Sequence, residues 1–190
     1  MEVEETETAL REDFQKFQEA LGAKCPQPMM AQELNFLEVG ALEPDIHDVD
    51  ETQGEWQVVW SCVDSGCATS VTPGRVAPQF PVRESDGSRR RQAFATANGE
   101  RVANEGEKTI TGVADEGHEV ATTYQVAAVT KPLDSVSKMT DQGNAVVFLQ
   151  HGGFILNLNT GATTGFGRKE NIYWRRTWVR KNAPFAGQGG

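Results

Sequence analysis

The residues best suited to chemistry in this sequence form the segment Asp64-Ser65-Gly66. They follow a β-type run at 58–63, so the carboxylate of Asp64 is expected to emerge at the end of a strand. Gly66 allows the backbone to turn sharply beside it. A tripeptide Asp-Ser/Thr-Gly should occur by chance in roughly one chain in ten of this length, so its surroundings decide what it means.

A carboxylate on such a loop could serve in acid–base hydrolysis of a peptide bond. That chemistry needs two carboxylates about 3 Å apart that share one proton, one acting as base on water and the other as acid toward the carbonyl. The chain offers one such loop, because Asp86-Gly87-Ser88 and Asp134-Ser135-Val136 lack the matching residue order. The second carboxylate must then come from an identical subunit across a two-fold axis, so the sequence predicts a homodimer.

The elements expected to position this loop are short strands. Runs rich in β-branched and aromatic residues, separated by turn residues, occupy 56–63, 92–96, 101–103, 108–113, 118–129, 145–149 and 154–158. Asn98-Gly99 predicts a hairpin with these residues at its tip, since a type I′ turn needs positive φ at both central positions. Gly152-Gly153 is expected to form the turn between the last two runs. Helical spacing after Pro132 predicts a short helix at about 134–142, ended by Gly143.

Residues 1–55 differ in composition from the rest of the chain. They hold 15 Asp and Glu against 3 Lys and Arg. Apolar residues at helical spacing within 5–21, followed by Gly22, predict an amphipathic helix, and the proline-containing stretch 24–55 is typical of a linker. The expected organisation is therefore an acidic leader at 1–55, a β domain at 56–150, and a β-hairpin with a basic tail at 151–190.

The C-terminal end is basic and aromatic. Within a chain of net charge -9, residues 165–190 carry six basic residues against one acidic residue. Tyr173, Trp174 and Trp178 alternate with arginines at strand-like spacing, which is more typical of an edge strand with solvated arginines than of a surface for stacking bases. Contact with nucleic acid through this tail therefore ranks last among the functions considered.

The cysteines and the apolar runs of the sequence argue against a disulfide framework, a metal site and a membrane segment. Three cysteines are an odd and sparse set, so free thiols are expected rather than a disulfide framework. Cys62 and Cys67 have no second Cys or His pair nearby, so no metal site is expected of them. There is no run of about 18 apolar residues, and the acidic start is unlike a secretory signal. The sequence thus predicts a soluble, cytoplasmic protein without membrane contact.

In three places, taken in order, the sequence resembles the single-lobed retropepsins, and most closely the proteases of copia-type retrotransposon polyproteins. Asp64-Ser65-Gly66 is similar to the family's active-site loop, and 94–102 is similar to its flap hairpin. The stretch 133–139, which begins 69 residues after Asp64, is similar to the second family signature. The resemblance covers about 56–178, and 160–173 is similar to the start of the segment that precedes integrase.

The resemblance implies a mostly β fold of the single-lobe acid-protease type with one short helix, placed at 56–150. It also implies an aspartic endopeptidase that processes a retrotransposon polyprotein as a homodimer, inside the cell and within retrotransposon particles. Asp64 would activate water, the hydroxyl of Ser65 would buttress the paired loops, and Gly66 would turn beside the substrate. Asn98 and Gly99 would close over an extended peptide. Water would be the only co-reactant, with no metal and no cofactor.

Two residues depart from the family's pattern. Cys67 stands where alanine is usual, and Asp134 stands where an apolar residue is usual. A carboxyl group beside a helix that should cover the active-site loop indicates an alternative function. In that alternative the chain is a catalytically inactive retropepsin-like module that dimerises and binds an extended peptide.

Overall fold

A computed structural model describes residues 52–96 and 99–182, and within them the chain is mostly β, as predicted. The predicted N-terminal helix and the linker up to residue 51 lie outside the described residues. The elements are β1 (Thr52–Gln53), β2 (Trp56–Asp64), β3 (Val71–Thr72), α1 (Asp86–Arg89), β4 (Ala93–Ala95), β5 (Arg101–Ala103), β6 (Gly106–Val113), β7 (Glu119–Val126), β8 (Leu133–Ser135), α2 (Val136–Asp141), β9 (Asn144–Leu149), β10 (Gly152–Asn157), β11 (Thr163–Lys169) and β12 (Ile172–Arg180).

Ten of the described strands form one sheet that closes on itself. The strand order is β1-β2-β8-β3-β7-β6-β12-β11-β10-β9, and β2 pairs with β12 as well as with β8. Six strands, β2, β8, β3, β7, β6 and β12, therefore form a closed ring, and β11, β10 and β9 continue from β12 as an antiparallel extension. β4 and β5 pair separately as a hairpin. No helix within 52–96 and 99–182 is long and apolar enough to cross a membrane.

Two hydrophobic clusters follow from the alternation of side chains along these strands. Inside the ring, Val59 of β2 and Val179 of β12 pack with buried residues of the neighbouring strands and of the loop after β3. The second cluster lies between α2 and the extension and holds Val63, Met139, Ile155 and Phe166. Val63 directly precedes Asp64, so the end of β2 is anchored in this second cluster.

The hairpin and the short helix lie close to where the sequence placed them. β4 pairs with β5 from Ala93↔Ala103 to Ala95↔Arg101. Helix α2 begins after its N-cap Ser135, and Gly143 follows it at a positive φ of 77°. Such a φ favours glycine, which is why this residue ends the helix.

The glycine pair at 152 and 153 is not a turn, so that prediction is wrong. Both residues lie in β10, and Gly152 pairs with Leu149 across the turn. A Cβ atom on Gly153 would lie 2.4 Å from the ring of Phe166 and 2.1 Å from a backbone oxygen of β9. Gly153 is therefore needed because the Phe166 ring and the β9 backbone approach it closely, and at Gly152 a Cβ atom would lie 2.4 Å from the backbone oxygen of Phe166.

β12 is an interior strand, so the prediction of an edge strand with solvated arginines is wrong. It pairs with β2 over seven residue pairs, from Trp174↔Cys62 to Arg180↔Trp56. Because β2 and β12 close the ring, alternate residues of β12 face its interior, and Arg175 is only 6% exposed. Residues on either side of position 150 thus share one continuous sheet.

Candidate active site

Asp64 is the last residue of β2 and is half-buried at the strand end. β8 runs parallel to β2, and Asp64 is the register partner of Ser135, the residue that caps α2. Alternation along β2 turns Val63 inward, so the neighbouring Asp64 faces the other way. Ser65 and Gly66 follow and are exposed. The carboxylate therefore emerges at a strand end, as the sequence predicts.

The Asp64 carboxylate is oriented by its own loop. The backbone N–H of Gly66 donates a hydrogen bond of 2.7 Å to Oδ1 of Asp64. A Cβ atom on Gly66 would lie only 3.3 Å from that oxygen, closer than ordinary van der Waals contact. Glycine therefore permits the close approach that fixes the carboxylate. Within 52–96 and 99–182 no other donor reaches this carboxylate, so its second oxygen can meet water or another carboxyl group.

An open pocket of about 400 Å³ lies over Asp64. One side is formed by the end of β2, with Cys62, Asp64 and Ser65, and the other by Phe148, Ile172 and Tyr173. The rings of Phe148 and Tyr173 meet edge to face at 4.9 Å between their centroids. The carboxylate thus stands beside an aromatic wall, an arrangement suited to a ligand with a polar backbone and an apolar side chain.

The loop after Asp64 is tied to the N-terminus of α2. The hydroxyl of Ser135 donates to the backbone oxygen of Cys67 at 2.6 Å. The backbone N–H of Ser135 donates to the hydroxyl of Ser70 at 3.0 Å. Two hydrogen bonds from one residue therefore hold both ends of the segment 67–70, which fixes the loop against the helix.

Cys67 fits within this loop as a free thiol. Its Sγ donates to the backbone oxygen of Thr69 at 2.7 Å. Burial raises the pKa of the Cys67 thiol, so the group stays protonated and can donate. The departure at this position is accommodated by a local hydrogen bond.

Asp134, the second departure, is fully buried beneath the loop and is well contacted. The phenol of Tyr124 donates to Oδ1 at 2.5 Å, and the hydroxyl of Ser61 donates to Oδ2 at 2.5 Å. Nε of Arg175 lies 2.8 Å from the same Oδ2. A buried charge is tolerated when it is paired and hydrogen-bonded. The carboxylate therefore has two hydrogen-bond donors and an ion-pair partner inside the ring, although Nε of Arg175 does not meet hydrogen-bond geometry.

The charge states of Tyr124 and Arg175 follow from burial and from the carboxylate beside them. Burial, reinforced by the neighbouring carboxylate, raises the pKa of Tyr124 well above its ordinary value, so the phenol remains a donor. Burial alone would lower the pKa of Arg175, but the Asp134 carboxylate reverses this and raises it. Arg175 is thus held as a cation opposite Asp134.

The hairpin formed by β4 and β5 is closed at its tip by backbone hydrogen bonds. The N–H of Thr96 donates to the oxygen of Glu100 at 2.9 Å, and the N–H of Gly99 donates to the oxygen of Thr96 at 2.9 Å. Gly99 has a positive φ of 83°, in keeping with its predicted place in the turn. Asn98 lies outside the described residues. Gly99 does not line the pocket over Asp64.

The structure thus brings Asp64, Ser65 and Gly66 together with residues that the sequence did not assign to this site. These are Ser135, Arg175 and the aromatic pair Phe148 and Tyr173. Arg175 could have been found from the two-residue period of β12, which places it on the same face as the apolar Val179, but only if the partner of that strand were known. Ser135 falls inside the predicted helix at 134–142, so its place as the residue that caps α2 was not predicted, although serine is a favoured capping residue.

No protein-family model, curated protein or solved structure matches this chain. Its function is therefore inferred from the residues of the site.

Proposed function

We propose that the chain is an aspartic endopeptidase of the retropepsin type, active as a homodimer in which each subunit contributes Asp64. The observation that carries the proposal is the state of this carboxylate at the end of β2. One oxygen is fixed by the N–H of Gly66, and the side chain borders an open pocket. A fixed carboxylate with a free second oxygen is what a shared-proton pair requires.

The proposed mechanism uses two copies of the loop. One Asp64, ionised, takes a proton from a water molecule that lies between the two carboxylates. The other Asp64, protonated, donates to the oxygen of the peptide carbonyl as water attacks the carbon. Proton transfer to the nitrogen then releases the amine and leaves a carboxylic acid. Exposure of Ser65 and Gly66 is compatible with a second loop approaching across a two-fold axis.

The proposed substrate is an extended peptide, a linker in a retrotransposon-type polyprotein that includes this chain. Its backbone would be held beneath the hairpin tip, where Gly99 and Asn98 lie in the sequence. The aromatic wall formed by Phe148 and Tyr173 would take one of its side chains. Such processing would take place in the cytoplasm, within retrotransposon particles.

The buried cluster around Asp134 weighs in favour of an active enzyme. A lone carboxyl group beneath the loop would disturb it, because an unpaired buried charge is costly. Here that carboxylate has Tyr124, Ser61 and Arg175 as partners. The residue that suggested an inactive module is therefore compatible with an ordered catalytic loop.

The experiment is cleavage of a quenched peptide library by the purified chain at about pH 4 to 7, where a carboxylate pair can share a proton. Activity is expected to be second order in protein at low concentration, inhibited by pepstatin, and abolished in Asp64→Asn. Asp141→Asn is the matched control, since it removes one exposed carboxylate that pairs with Lys138 on the surface. No cleavage by a folded dimer would refute the enzyme and leave the peptide-binding module as the function.

A further inference from the structure

Arg175 connects the C-terminal strand to the carboxylate beneath the Asp64 loop. Its Nε lies 2.8 Å from Oδ2 of Asp134, and the two side chains are 7% and 0% exposed. Within the described residues no other cation contacts this carboxylate. The same guanidinium donates from Nη2 to Thr122 at 2.9 Å, so its orientation is fixed by β7 as well.

Asp134 is one residue away from the group that holds the loop. Ser135 is the register partner of Asp64, and its hydroxyl binds the backbone oxygen of Cys67. β8 is only three residues long, so a displacement of Asp134 cannot be absorbed before Ser135. The position of the loop therefore depends on the position of the buried carboxylate.

Loss of Arg175 would leave that carboxylate without its counter-charge. Its side chain would then have to move toward water or toward another donor, because an unpaired charge is strongly disfavoured in the interior. Either change alters the contacts of β8. The consequence would reach Asp64 through Ser135 without any change in the loop's own residues.

We propose that Arg175 is a positioning residue for the catalytic loop, acting through Asp134 and Ser135. This inference rests on the proposed function for its effect on catalysis, and on the contacts alone for its effect on the loop. Strand β12 would then be required for activity, because it carries Arg175. In a polyprotein, the cut that frees the enzyme from the segment after it lies beyond Arg180, although 160–173 resembles that later segment.

The test compares Arg175→Met with Arg180→Met, which removes an exposed arginine from the same strand. Two readouts are taken at a temperature where circular dichroism shows both variants folded. One is kcat and KM for a cleaved peptide. The other is the rate of alkylation of Cys67, located by peptide mass spectrometry, which reports opening of the loop even if the chain cleaves nothing.

Arg175→Met is expected to lower kcat about tenfold or more with KM changed less than about threefold, because misplacing a reacting group affects chemistry more than binding. Cys67 is expected to be alkylated at least about tenfold faster, as in local opening. Arg180→Met is expected to stay within about twofold of the unmodified chain in both.

The double variant Asp134→Leu, Arg175→Met separates positioning from general stability. It removes both charges, so it is expected to bring kcat and the protection of Cys67 back to within about threefold of the unmodified chain. A folded double variant in which Cys67 stays exposed would refute a route through Asp134, even if Arg175→Met alone fails to fold. The proposal is overturned if Arg175→Met matches Arg180→Met in both readouts. It is also overturned if a product that ends before Ile172 is active. If the unmodified chain cleaves no peptide, the proposed function fails. The alkylation rate of Cys67 then still decides whether Arg175 positions the loop.

Discussion

Tyr124→Phe is expected to destabilise the fold because it removes one hydroxyl group that donates to the buried carboxylate of Asp134. The phenol is buried at 2% exposure and donates to Oδ1 of Asp134 at 2.5 Å. Ser61 and Arg175 both contact the other oxygen, Oδ2. Phenylalanine keeps the ring and creates little cavity, but it leaves Oδ1 buried without a donor.

The expected loss is about 2 kcal/mol in the free energy of unfolding, because hydrogen bonds to charged groups contribute about 1.5–3 kcal/mol. Urea unfolding followed by tryptophan fluorescence measures it. With a slope of about 2 kcal/mol per molar urea for a domain of this size, the midpoint should fall by about 1 M at unchanged slope.

Tyr173→Phe is the matched control, because its hydroxyl donates to the backbone oxygen of Leu149 at 3.0 Å in an exposed setting. Water can replace that bond, so a loss below about 1 kcal/mol is expected. If Tyr124→Phe costs no more than Tyr173→Phe, Asp134 does not depend on its phenol donor and the described cluster is wrong.

Three further outcomes are expected. Gly153→Ala should cost about 2 kcal/mol or more, since its Cβ would overlap the Phe166 ring; a thermal melt unchanged from that of the parent chain would contradict this. Burial lowers the pKa of Lys108 below 10.5, so the unfolded chain holds that proton to higher pH and the parent chain should gain stability relative to Lys108→Met as the pH rises toward 10.5. Urea unfolding midpoints of both proteins at about pH 8 and 10 measure this difference. If the midpoint changes equally with pH in the two proteins, the explanation is wrong. Gly66→Ala should fold normally yet reduce kcat about tenfold or more, because it displaces the Asp64 carboxylate; unchanged kcat would show that the contact is not needed.

Local patterns predicted most of the elements. The content of β-branched and aromatic residues in β2 and the turn residues between β6 and β7 are short-range signals, and these three strands lie close to where the sequence placed them. The hairpin around Gly99 follows from turn chemistry in the same way, whereas α2 begins at Val136, two residues after the start predicted from helical spacing. The exposed end of β2, with Asp64 on it, could therefore be predicted without knowing the sheet order.

Features that depend on distant partners could not be predicted. Gly152 and Gly153 suggested a turn because glycine favours turns, but the deciding neighbour is Phe166, on the next strand. Arg175 suggested a solvated face because arginines are mostly exposed, yet its partner Asp134 lies in a strand 41 residues earlier. In both cases the long-range contact outweighs the local preference.

The pairing of β2 with β12 also sets the order in which the site can form during synthesis. The two strands meet through residue pairs more than 100 positions apart, from Trp174↔Cys62 to Arg180↔Trp56. A ribosome adding about 5–20 residues per second makes the strand that carries Asp64 several seconds before its partner. During that interval one edge of β2 is open, and Asp134, once it has been made, has no cation opposite it until Arg175 follows. A growing chain therefore cannot hold Asp64 in its final place until β12 has left the ribosome, and if the chain is the proposed protease, cleavage would be delayed until then.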